Sequence, residues 1–233
     1  SKLSVEDAAR KLRYTVLFEI LSKHKSEYIV TAHHRDDQAE TLLLHLLRGS
    51  GAEGLGGMRC HNNSIVRPFL QVSRRMLEAY CAMRSLDYRT DSSNMDLYYT
   101  RNKVRHILLP LLEREFNPNI KQALAQTATL TAEDADCLNE LAEEKFLQYV
   151  LQDDHSCSCD TAWLLSLPAA LCSRIIRMMW KKLGAAGLLT FQQTQQVIGL
   201  VHKGSSNKRL MLPGGTCAVS VSYTHLRAHE TEA

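Results

Sequence analysis

The 233-residue chain is long enough for one or two domains with cores of their own, and its 45% hydrophobic content is typical of a globular protein. No apolar run approaches the roughly 20 residues of a transmembrane helix, and the first residues lack the layout of a secretory signal. Seven cysteines without C-x-x-C spacing favour reduced thiols in a cytoplasmic protein over a disulfide scaffold or zinc ribbon, and a formal net charge of +3 is too small to indicate a nucleic-acid partner by itself.

The first predicted elements are a helix from Ser4 to Lys23, which Ser4 is placed to cap, and a strand from Tyr28 to Ala32. The helix has an apolar stripe that is expected to face a core, formed by Ala8, Leu12, Val16, Leu17, Ile20 and Leu21. A parallel sheet needs a strand before such a crossover helix, and the chain supplies none. We therefore expect a parallel-sheet domain that lacks its N-terminal part.

A polar cluster follows this strand and opens a second helix; it consists of His33, His34, Arg35, Asp36 and Asp37. The helix is predicted from an apolar stripe at helical spacing, formed by Ala39, Leu42, Leu43, Leu46 and Leu47. Asp37 and Glu40 therefore project together from its first turn. Because ligands of open α/β sheets bind outside the carboxyl ends of the strands, the cluster lies where a functional site is expected.

Two other interpretations of the cluster have to be weighed. Asp37 with Glu40 could form a capping box at the helix N-terminus, where carboxylates are favoured by the helix dipole. Capping explains those two residues but not the histidines, the arginine and the second aspartate beside them. A metal site is the other interpretation, since His and Asp at helical spacing can be ligands, but no more distant His and Cys framework supports it.

The segment from Gly49 to Gly54 fits G-x-G-x-x-G, but it closes a helix, whereas a dinucleotide fingerprint opens one after a strand. We interpret it as helix termination and a mobile turn. A short strand at Ser64 to Val66 and a helix at Arg74 to Ser85, capped by Ser73, are predicted next. The residues of this helix that are expected to face inward are Met76, Leu77, Tyr80 and Cys81.

A second informative cluster lies before and within a helix that is predicted to break or kink near Pro110. Asp91 to Asn94, the sequence DSSN, has turn chemistry. Arg101 and Arg105 lie four residues apart, a spacing at which like charges repel by a few tenths of a kcal/mol. An anionic partner would reverse that cost, and a guanidinium suits phosphate, so Arg105 is a candidate phosphate ligand. A solvated basic face is the alternative.

Charge helps to divide the chain, since residues 59–115 hold ten Lys or Arg against six Asp or Glu, and residues 116–150 hold two against six. We predict a catalytic sheet domain at 1–117 and a connector helix within 118–152, from about Asn119 to Leu151. A small helical domain is predicted at 153–205 and the start of a β-containing domain at 206–221. Residues 222–233 resemble read-through of an adapter sequence, and we exclude them from the fold as a non-native tail.

Within the helical domain, two helices are predicted from Thr161 to Leu183, meeting at Leu167-Pro168. Thr190 and Gln193 form a capping box for a third, Phe191 to His202, with Gly204 at its end. A hairpin follows, with strands at Lys208 to Leu212 and Thr216 to Val221 around Pro213-Gly214-Gly215. One helix face carries three basic residues that could follow an RNA backbone or simply be solvated: Arg174, Arg177 and Lys181.

Taken together, these segments resemble the tRNA(Ile)-lysidine synthetase family, within the N-type (PP-loop) ATP pyrophosphatases. The string HHRDDQAET at 33–41, followed by LLRGSGAEGLGGM at 46–58, is similar to the family signature. Later matches are Arg67 to Leu70 with Ser73-Arg74, then Asp91 to Asn94, then Arg101 to His106. The resemblance covers roughly residues 4–215, and it implies an α/β fold in which a truncated, Rossmann-like parallel-sheet PP-loop domain precedes a connector helix and a small helical domain.

The resemblance also implies an activity: ATP-dependent ligation of lysine to C2 of the wobble cytidine of tRNA(Ile), by way of an adenylated tRNA, to form lysidine. The substrates are then ATP, L-lysine and a tRNA(Ile) with a CAU anticodon, with Mg²⁺ accompanying the ATP, in the cytoplasm. A homodimer stays open. The family's SGGxDS phosphate loop is absent from the sequence, so we expect this chain itself to be nearly inactive in ligation, because no glycine-rich backbone cradles the pyrophosphate.

Each site residue receives a role from the same resemblance. The catalytic residues are expected to be His33, Asp36, Asp37 and Arg105. The lysine ammonium is expected to bind Asp37 and Glu40. The residues expected at the ATP phosphates are His33, Arg101 and Arg105. The expected tRNA contacts are Arg74, Arg174, Arg177 and Lys181, and no metal ligand is assigned.

Other functions remain open from the sequence. A metal-dependent phosphoesterase would use His33, His34, Asp36 and Asp37 as ligands and would need no ATP loop. A tRNA-thiolating PP-loop relative would need catalytic cysteines in the sheet domain, but Cys60 and Cys81 lie off the cluster. A non-catalytic, RNA-binding remnant is the third alternative.

Overall fold

The structure, a computed structural model, describes residues 5–89, 96–153, 156–184, 189–202, 208–212, 216–222 and 225–230. The chain forms two compact units, residues 1–135 and 136–233. A long helix, α7 (Ile120–Tyr149), begins in the first unit and ends in the second, in agreement with the predicted connector helix. The predicted cap Ser4, the turn at Asp91 to Asn94 and the helix end at Gly204 lie outside the described residues.

The first unit places helices around a small three-stranded sheet. Its described strands are β1 (Ile29–Val30), β2 (His61–Asn62) and β3 (Ile65–Val66). The central strand β3 pairs in parallel with β1 and antiparallel with β2. The parallel pair agrees with the predicted parallel sheet, although each strand is only two residues long. Its helices before α7 are α1 (Val5–Lys23), α2 (Arg35–Leu47), α3 (Ala52–Leu55), α4 (Arg74–Met83), α5 (Thr100–Lys103) and α6 (Leu109–Glu115).

Two predicted core-facing stripes of the first unit are wrong. Leu12 in α1 is 65% exposed, and Val16 and Ile20 are exposed as well. In α4, Met76 and Tyr80 are exposed, while its other two predicted inward residues are partly buried. The physical reason is that strands of two residues offer too little apolar surface to cover both helices. Ser73 does cap α4, since its Oγ accepts the Met76 N–H at 3.2 Å.

The helix near Pro110 continues through a widened turn and does not break. A π-helical turn, Val104–Leu108, joins α5 to α6, and Pro110 occupies the first turn of α6. Proline has no N–H to donate, and a π turn absorbs the lost hydrogen bond without ending the helix. The first unit's small core packs α2 against this turn; it consists of Ala39, Leu43, Leu44, Val104 and Leu109.

The second unit combines a five-stranded antiparallel sheet with three helices. The strands are β4 (Leu151–Gln152), β5 (Ser156–Asp160), β6 (Arg209–Leu212), β7 (Thr216–Ser222) and β8 (His225–Glu230), in the order β4-β5-β8-β7-β6. The predicted hairpin is confirmed as the antiparallel pair β6 and β7. Residues 225–230, within the segment predicted to be a non-native tail, form β8, which pairs with β5 and with β7. That the tail is non-native stays a prediction. The side chains of Leu226 and Ala228, two residues apart, are buried on one face of the sheet.

The helices of the second unit follow the sequence closely. They are α8 (Thr161–Ser166), α9 (Ala169–Lys182) and α10 (Phe191–His202), and α8 ends where Leu167-Pro168 predicts. The capping box at Thr190 is confirmed, since its N–H donates to Gln193 Oε1 at 2.8 Å and its Oγ1 accepts the Gln193 N–H at 3.2 Å. These helices and the sheet enclose a large apolar core that includes Leu164, Ile175 and Trp180. The predicted small helical domain is confirmed in α8, α9 and α10, and the structure adds strand β5 before them and strands β6 to β8 after them.

Among the described residues, no helix is both long enough and apolar enough to cross a membrane.

Candidate functional site

The N-terminus of α2 is capped by the polar cluster itself. The Asp37 N–H donates to His34 Nδ1 at 3.3 Å, and the His34 N–H donates to Asp37 Oδ2 at 3.0 Å. This is a capping box with His34 at the N-cap, so the alternative interpretation, in which Asp37 and Glu40 form the box, is wrong. Glu40 therefore does not cap α2, and capping does not explain why Glu40 is buried.

Glu40 and Asp37 meet Arg101 and Arg105 in one ion-pair network. Arg105 donates from Nε to Glu40 Oε1 at 2.6 Å and from Nη2 to Glu40 Oε2 at 2.9 Å, a bidentate pair. Its Nη2 also donates to Asp37 Oδ1 at 3.1 Å. Arg101 donates from Nε to Glu40 Oε2 at 2.8 Å, with its Nη2 3.5 Å from Asp37 Oδ1. Two carboxylates from α2 thus balance two guanidinium groups from the helix across from it.

This network is largely shielded from solvent. Glu40 is 2% exposed, and the side chain of Arg105 is 21% exposed. Burial lowers the pKa of Arg105 more than any other single cause, but the hydrogen bond and charge of Glu40, with Asp37 and Asp36, outweigh burial and raise that pKa overall. A buried carboxylate is tolerated only when it is paired and hydrogen-bonded, as Glu40 is. Arg105 therefore stays charged.

The network also resolves the repulsion expected between Arg101 and Arg105. The anionic partner predicted to offset that repulsion is present inside the chain, as Asp37 and Glu40. Arg101 lies in α5, whereas Arg105 lies one residue into the π-helical turn. A π turn at a functional site is common, because it redirects a side chain that a regular helix would point elsewhere.

His33 lies beside the network, just after the end of β1. Its Nδ1 is hydrogen-bonded to Thr31 Oγ1 at 2.8 Å. Burial lowers the pKa of His33, and although Asp37 acts in the opposite direction, the charges of Arg67, Arg10 and Arg101 also lower it. His33 is therefore a neutral imidazole at pH 7, within electrostatic reach of one carboxylate, Asp37, and three guanidinium groups.

Asp36 is not part of this network of hydrogen bonds. Its Oδ1 accepts the N–H of Arg74 at 3.1 Å, and its Oδ2 lies 3.8 Å from Lys121 Nζ. The side chain of Arg74 pairs with Glu78, from Nε to Oε1, at 2.7 Å on the exposed surface of α4. The structure therefore separates Asp36 from Asp37, since the two neighbours point to different partners.

Comparison with known proteins connects this geometry to a family. A PP-loop domain matches residues 1–112, and a TilS substrate binding domain matches residues 160–227. A protein of Nostoc sp. named tRNA(Ile)-lysidine synthase is 34% identical over 230 residues, covering 91% of this chain and 67% of the relative. Proteins of the same name from Thermobifida fusca and Geobacillus kaustophilus are 38% and 34% identical, covering 90% and 91% of this chain.

The chain belongs to the tRNA(Ile)-lysidine synthase family. It spans 47% of the length of the Geobacillus relative and 64% of the Thermobifida relative, so it corresponds to about half to two thirds of these proteins. The PP-loop match includes the whole network from His33 to Arg105. The substrate-binding match includes the basic face of α9 and reaches into β8.

The three basic residues on one face of α9 differ in their hydrogen bonds and in their exposure. Arg174 donates from Nε to Asn139 Oδ1 at 2.8 Å and from Nη1 to the Ala170 carbonyl at 3.1 Å. The Nε of Arg177 is buried and has no hydrogen-bond partner in the described part of the chain. Lys181 is exposed. This face lies within the match to the TilS substrate binding domain, and its contact with RNA stays a prediction.

Two residues that hold the site together are not among the predicted site residues. Gln38 is almost fully buried, and its amide makes a two-way clamp on Met58: Nε2 donates to the carbonyl at 2.9 Å and Oε1 accepts the N–H at 2.8 Å. Arg67 is 5% exposed, donates from Nη1 to the Arg59 carbonyl at 2.8 Å and acts electrostatically on His33. The sequence signal for these two residues is that both lie inside the motifs that resemble the family. A polar residue in such a motif is suited either to holding a loop or to taking part in the chemistry.

The described residues contain no group of three or more His, Cys, Asp or Glu that could hold a metal ion. His34 caps α2, and Asp37 is paired with Arg105, so these side chains are committed to other partners. The metal-ligand interpretation of the cluster is therefore not favoured.

Proposed function

We propose that the chain carries the nucleotide-binding and lysine-binding site of an enzyme that ligates lysine to C2 of the wobble cytidine of tRNA(Ile), using ATP. The observation that carries the proposal is the buried network of Asp37, Glu40, Arg101 and Arg105, which lies within the PP-loop match and next to the carboxyl end of a parallel strand. Such an edge is where open α/β sheets bind ligands. The family relationship supports the reaction, since relatives that cover most of the chain are named tRNA(Ile)-lysidine synthase.

Asp37 and Glu40 are the proposed partners of the lysine ammonium. Both carboxylates are already neutralised by arginine, so an incoming ammonium would have to share or replace a guanidinium contact. Asp37 is the more accessible of the two, and Glu40 the deeper. A guanidinium that gives up a carboxylate contact becomes available for phosphate, which accepts the same bidentate geometry. Lysine binding and the release of Arg105 toward phosphate would then be one exchange of partners.

His33 is the proposed proton acceptor. The ammonium must lose a proton before its amine can attack C2 of the adenylated cytidine and release AMP. A neutral imidazole can take that proton, and burial keeps His33 neutral at pH 7. Arg101 and Arg105 would stabilise negative charge on the phosphates. The contacts of Asp36 with the first turn of α4 favour a positioning role, which would hold α2 in place during the reaction.

The partners of the reaction are likewise proposals. Arg74, Arg177 and Lys181 have exposed or unpaired groups that suit RNA phosphate, while Arg174 is already bound within its own unit. Mg²⁺ stays a prediction, and no step above depends on it. A homodimer also stays a prediction, to be checked by light scattering. The phosphoesterase and thiolation alternatives are not favoured, given the names of the relatives and the committed side chains of the cluster.

The experiment is a ligation assay with the protein that carries this chain. Radiolabelled lysine, ATP and a tRNA(Ile) transcript with a CAU anticodon should give acid-precipitable label. The matched transcript with uridine in place of the wobble cytidine should give none. Equal labelling of both transcripts, or labelling in the absence of ATP, would contradict the proposal.

A further inference from the structure

A polar cleft of about 260 Å³ opens in the first unit, between the N-terminal turns of α2, α4 and α7. Its lining includes five charged side chains: Arg35, Asp36, Arg75, Glu113 and Lys121. The side chains that form the ion-pair network, Asp37, Glu40, Arg101 and Arg105, are not part of this lining. The cleft is therefore a separate feature from the proposed ligation site, although α2 contributes to both.

The charges in the cleft are unequally satisfied. Lys121 Nζ lies 2.9 Å from Glu113 Oε2 and 3.8 Å from Asp36 Oδ2, so both carboxylates have a cationic neighbour. Asp36 also accepts the Arg74 N–H. In the described part of the chain, neither Arg35 nor Arg75 takes part in an ion pair of this kind. The five charged side chains of the cleft, three basic and two acidic, sum to +1, so the cleft keeps a net positive charge beside its two guanidinium groups.

Arg35 provides a second, independent observation that points to an anion-binding cleft. It is the first residue of α2, and its backbone N–H donates to the Val72 carbonyl at 2.9 Å. Its side-chain Nε is buried, yet it has no hydrogen-bond partner among the described residues. A buried, charged donor without an acceptor is unfavourable by the full cost of its desolvation, and native structures rarely leave one so. An acceptor in the cleft would remove that cost.

The two arginines at the start of α4, Arg74 and Arg75, differ in their ion pairing. Both are exposed, but Arg74, a predicted tRNA contact, pairs with Glu78 at 2.7 Å, whereas Arg75 lines the cleft and has no ion pair among the described residues. The first turns of α4 and of the 30-residue helix α7 add partial positive charge at the same place. The ligand that fits two forked guanidinium groups, one lysine and two helix N-termini is a phosphate group.

We propose that this cleft binds a phosphate, with Arg35 and Arg75 as its principal ligands, and that the phosphate belongs to the RNA backbone of the bound tRNA. The proposal rests on the proposed function, which supplies the RNA. The same chemistry would accept inorganic pyrophosphate, which the proposed adenylation step releases from ATP. Both sources can be separated by binding measurements that need no turnover.

The test compares Arg75→Ala and Arg35→Gln with Arg13→Ala, which removes the same charge from an exposed position outside the cleft. Fluorescence anisotropy measures binding of labelled tRNA(Ile) over a range of salt concentrations. We expect each cleft variant to weaken binding by about 3- to 10-fold and to lower the slope of log affinity against log salt by about one, as for loss of one phosphate contact. Arg13→Ala should change neither quantity by a comparable amount.

A second arm titrates inorganic pyrophosphate by calorimetry. If Arg75→Ala abolishes pyrophosphate binding and leaves the tRNA salt slope unchanged, the phosphate site stands but its RNA assignment is overturned. If both variants bind tRNA and pyrophosphate as the unsubstituted chain does, the site itself is overturned. Failure of lysine ligation with cleft-dependent tRNA binding intact would instead count against the proposed function alone. Arg75 is exposed, so its loss leaves folding intact, which circular dichroism checks.

Discussion

The two units of the chain are stabilised in different ways. The second unit buries a large apolar core between its sheet and helices, and that core includes Leu164, Ile175 and Trp180. The first unit has a core of five residues and, beside it, a buried network of two carboxylates and two guanidinium groups. Apolar burial depends little on pH or salt, whereas ion pairs depend on both. The unit that carries the proposed chemistry is therefore the one that is more sensitive to solution conditions.

The largest effect is expected in the second core. Ile175 is fully buried, so Ile175→Ala should lower the free energy of unfolding by about 2–5 kcal/mol, as is usual for a cavity of this size. Both tryptophans of the chain, Trp163 and Trp180, lie in the second unit, so their fluorescence in a urea titration reports on that unit. Ile107→Ala, at an exposed position in the first unit, is the control and should leave the fluorescence midpoint unchanged. Equal shifts for both variants would contradict a division into two cores.

Arg105→Ala tests the network. It leaves Glu40 buried with only Arg101 as a cationic partner, and the loss should cost the first unit about 2–3 kcal/mol, less than the full cost of breaking a buried pair because Arg105 is partly exposed. Hydrogen exchange of α2 should accelerate while tryptophan fluorescence keeps its midpoint. Arg114→Ala, which breaks an exposed pair with Glu115, should leave the exchange of α2 unchanged. No change in α2 for Arg105→Ala would show that the network contributes nothing.

The glycines before Met58 allow a smaller and more local test. Gly57 has a φ of +62°, and a Cβ there would lie 2.8 Å from Gln38 Oε1, so Gly57→Ala should combine backbone strain with damage to the Gln38 clamp, at about 1–3 kcal/mol. Gly49 has a φ of +72° but open space around it, so Gly49→Ala isolates the strain. Gly51→Ala has neither problem and should be nearly neutral. Thermal melting by circular dichroism should show the largest loss of stability for Gly57→Ala, a smaller loss for Gly49→Ala and the smallest for Gly51→Ala. Any other order would contradict a stabilising role for the Gln38 clamp.

The smallest effect concerns pH. Burial holds the pKa of His33 below the usual value of 6.5, so the unfolded chain takes up this proton at a higher pH than the folded chain. The contribution of His33 to stability is complete above pH 6.5, falls as the pH drops below that value and levels off at the lower folded pKa. His33→Asn should therefore flatten the acid side of the stability profile of the first unit, and His24→Asn, at an exposed position, should not. Identical profiles of stability against pH for the two variants would show that burial does not lower the pKa of His33 in the folded chain.

The sequence is informative wherever periodicity and capping are strong. Helix α2 and the long helix α7 follow from their patterns, and the capping box at Thr190 and the break at Leu167-Pro168 are local features that tertiary contacts do not override. Strand β8 lies within residues 222–233, which were excluded from the predicted fold because they resemble an adapter sequence. Its buried residues Leu226 and Ala228 are separated by a charged residue, Arg227. That alternation is the pattern of a strand with one buried face.

The site shows the limit of reasoning from spacing. Asp37 and Glu40 were expected on one face of α2, and Arg101 and Arg105 on one face of a later helix, but nothing in the sequence states that the two faces meet. The contact joins residues more than sixty positions apart. Likewise, His34 occupies the N-cap with extended backbone, at φ −125° and ψ 179°, although histidine is not among the residue types that usually cap helices.

Steady-state kinetics of Glu40→Gln, in the protein that carries this chain, test the central claim most directly. The glutamine keeps the shape of the side chain and removes the charge that the lysine ammonium requires, so the lysine KM should rise about 10- to 100-fold, from the loss of one charge-assisted hydrogen bond, while the KM for ATP changes little. Glu78→Gln, which removes a charge from an exposed pair with Arg74, is the control and should alter neither KM. An unchanged lysine KM for Glu40→Gln, together with a lower melting temperature, would show that Glu40 serves only to hold its arginines and would contradict the assignment of the lysine site.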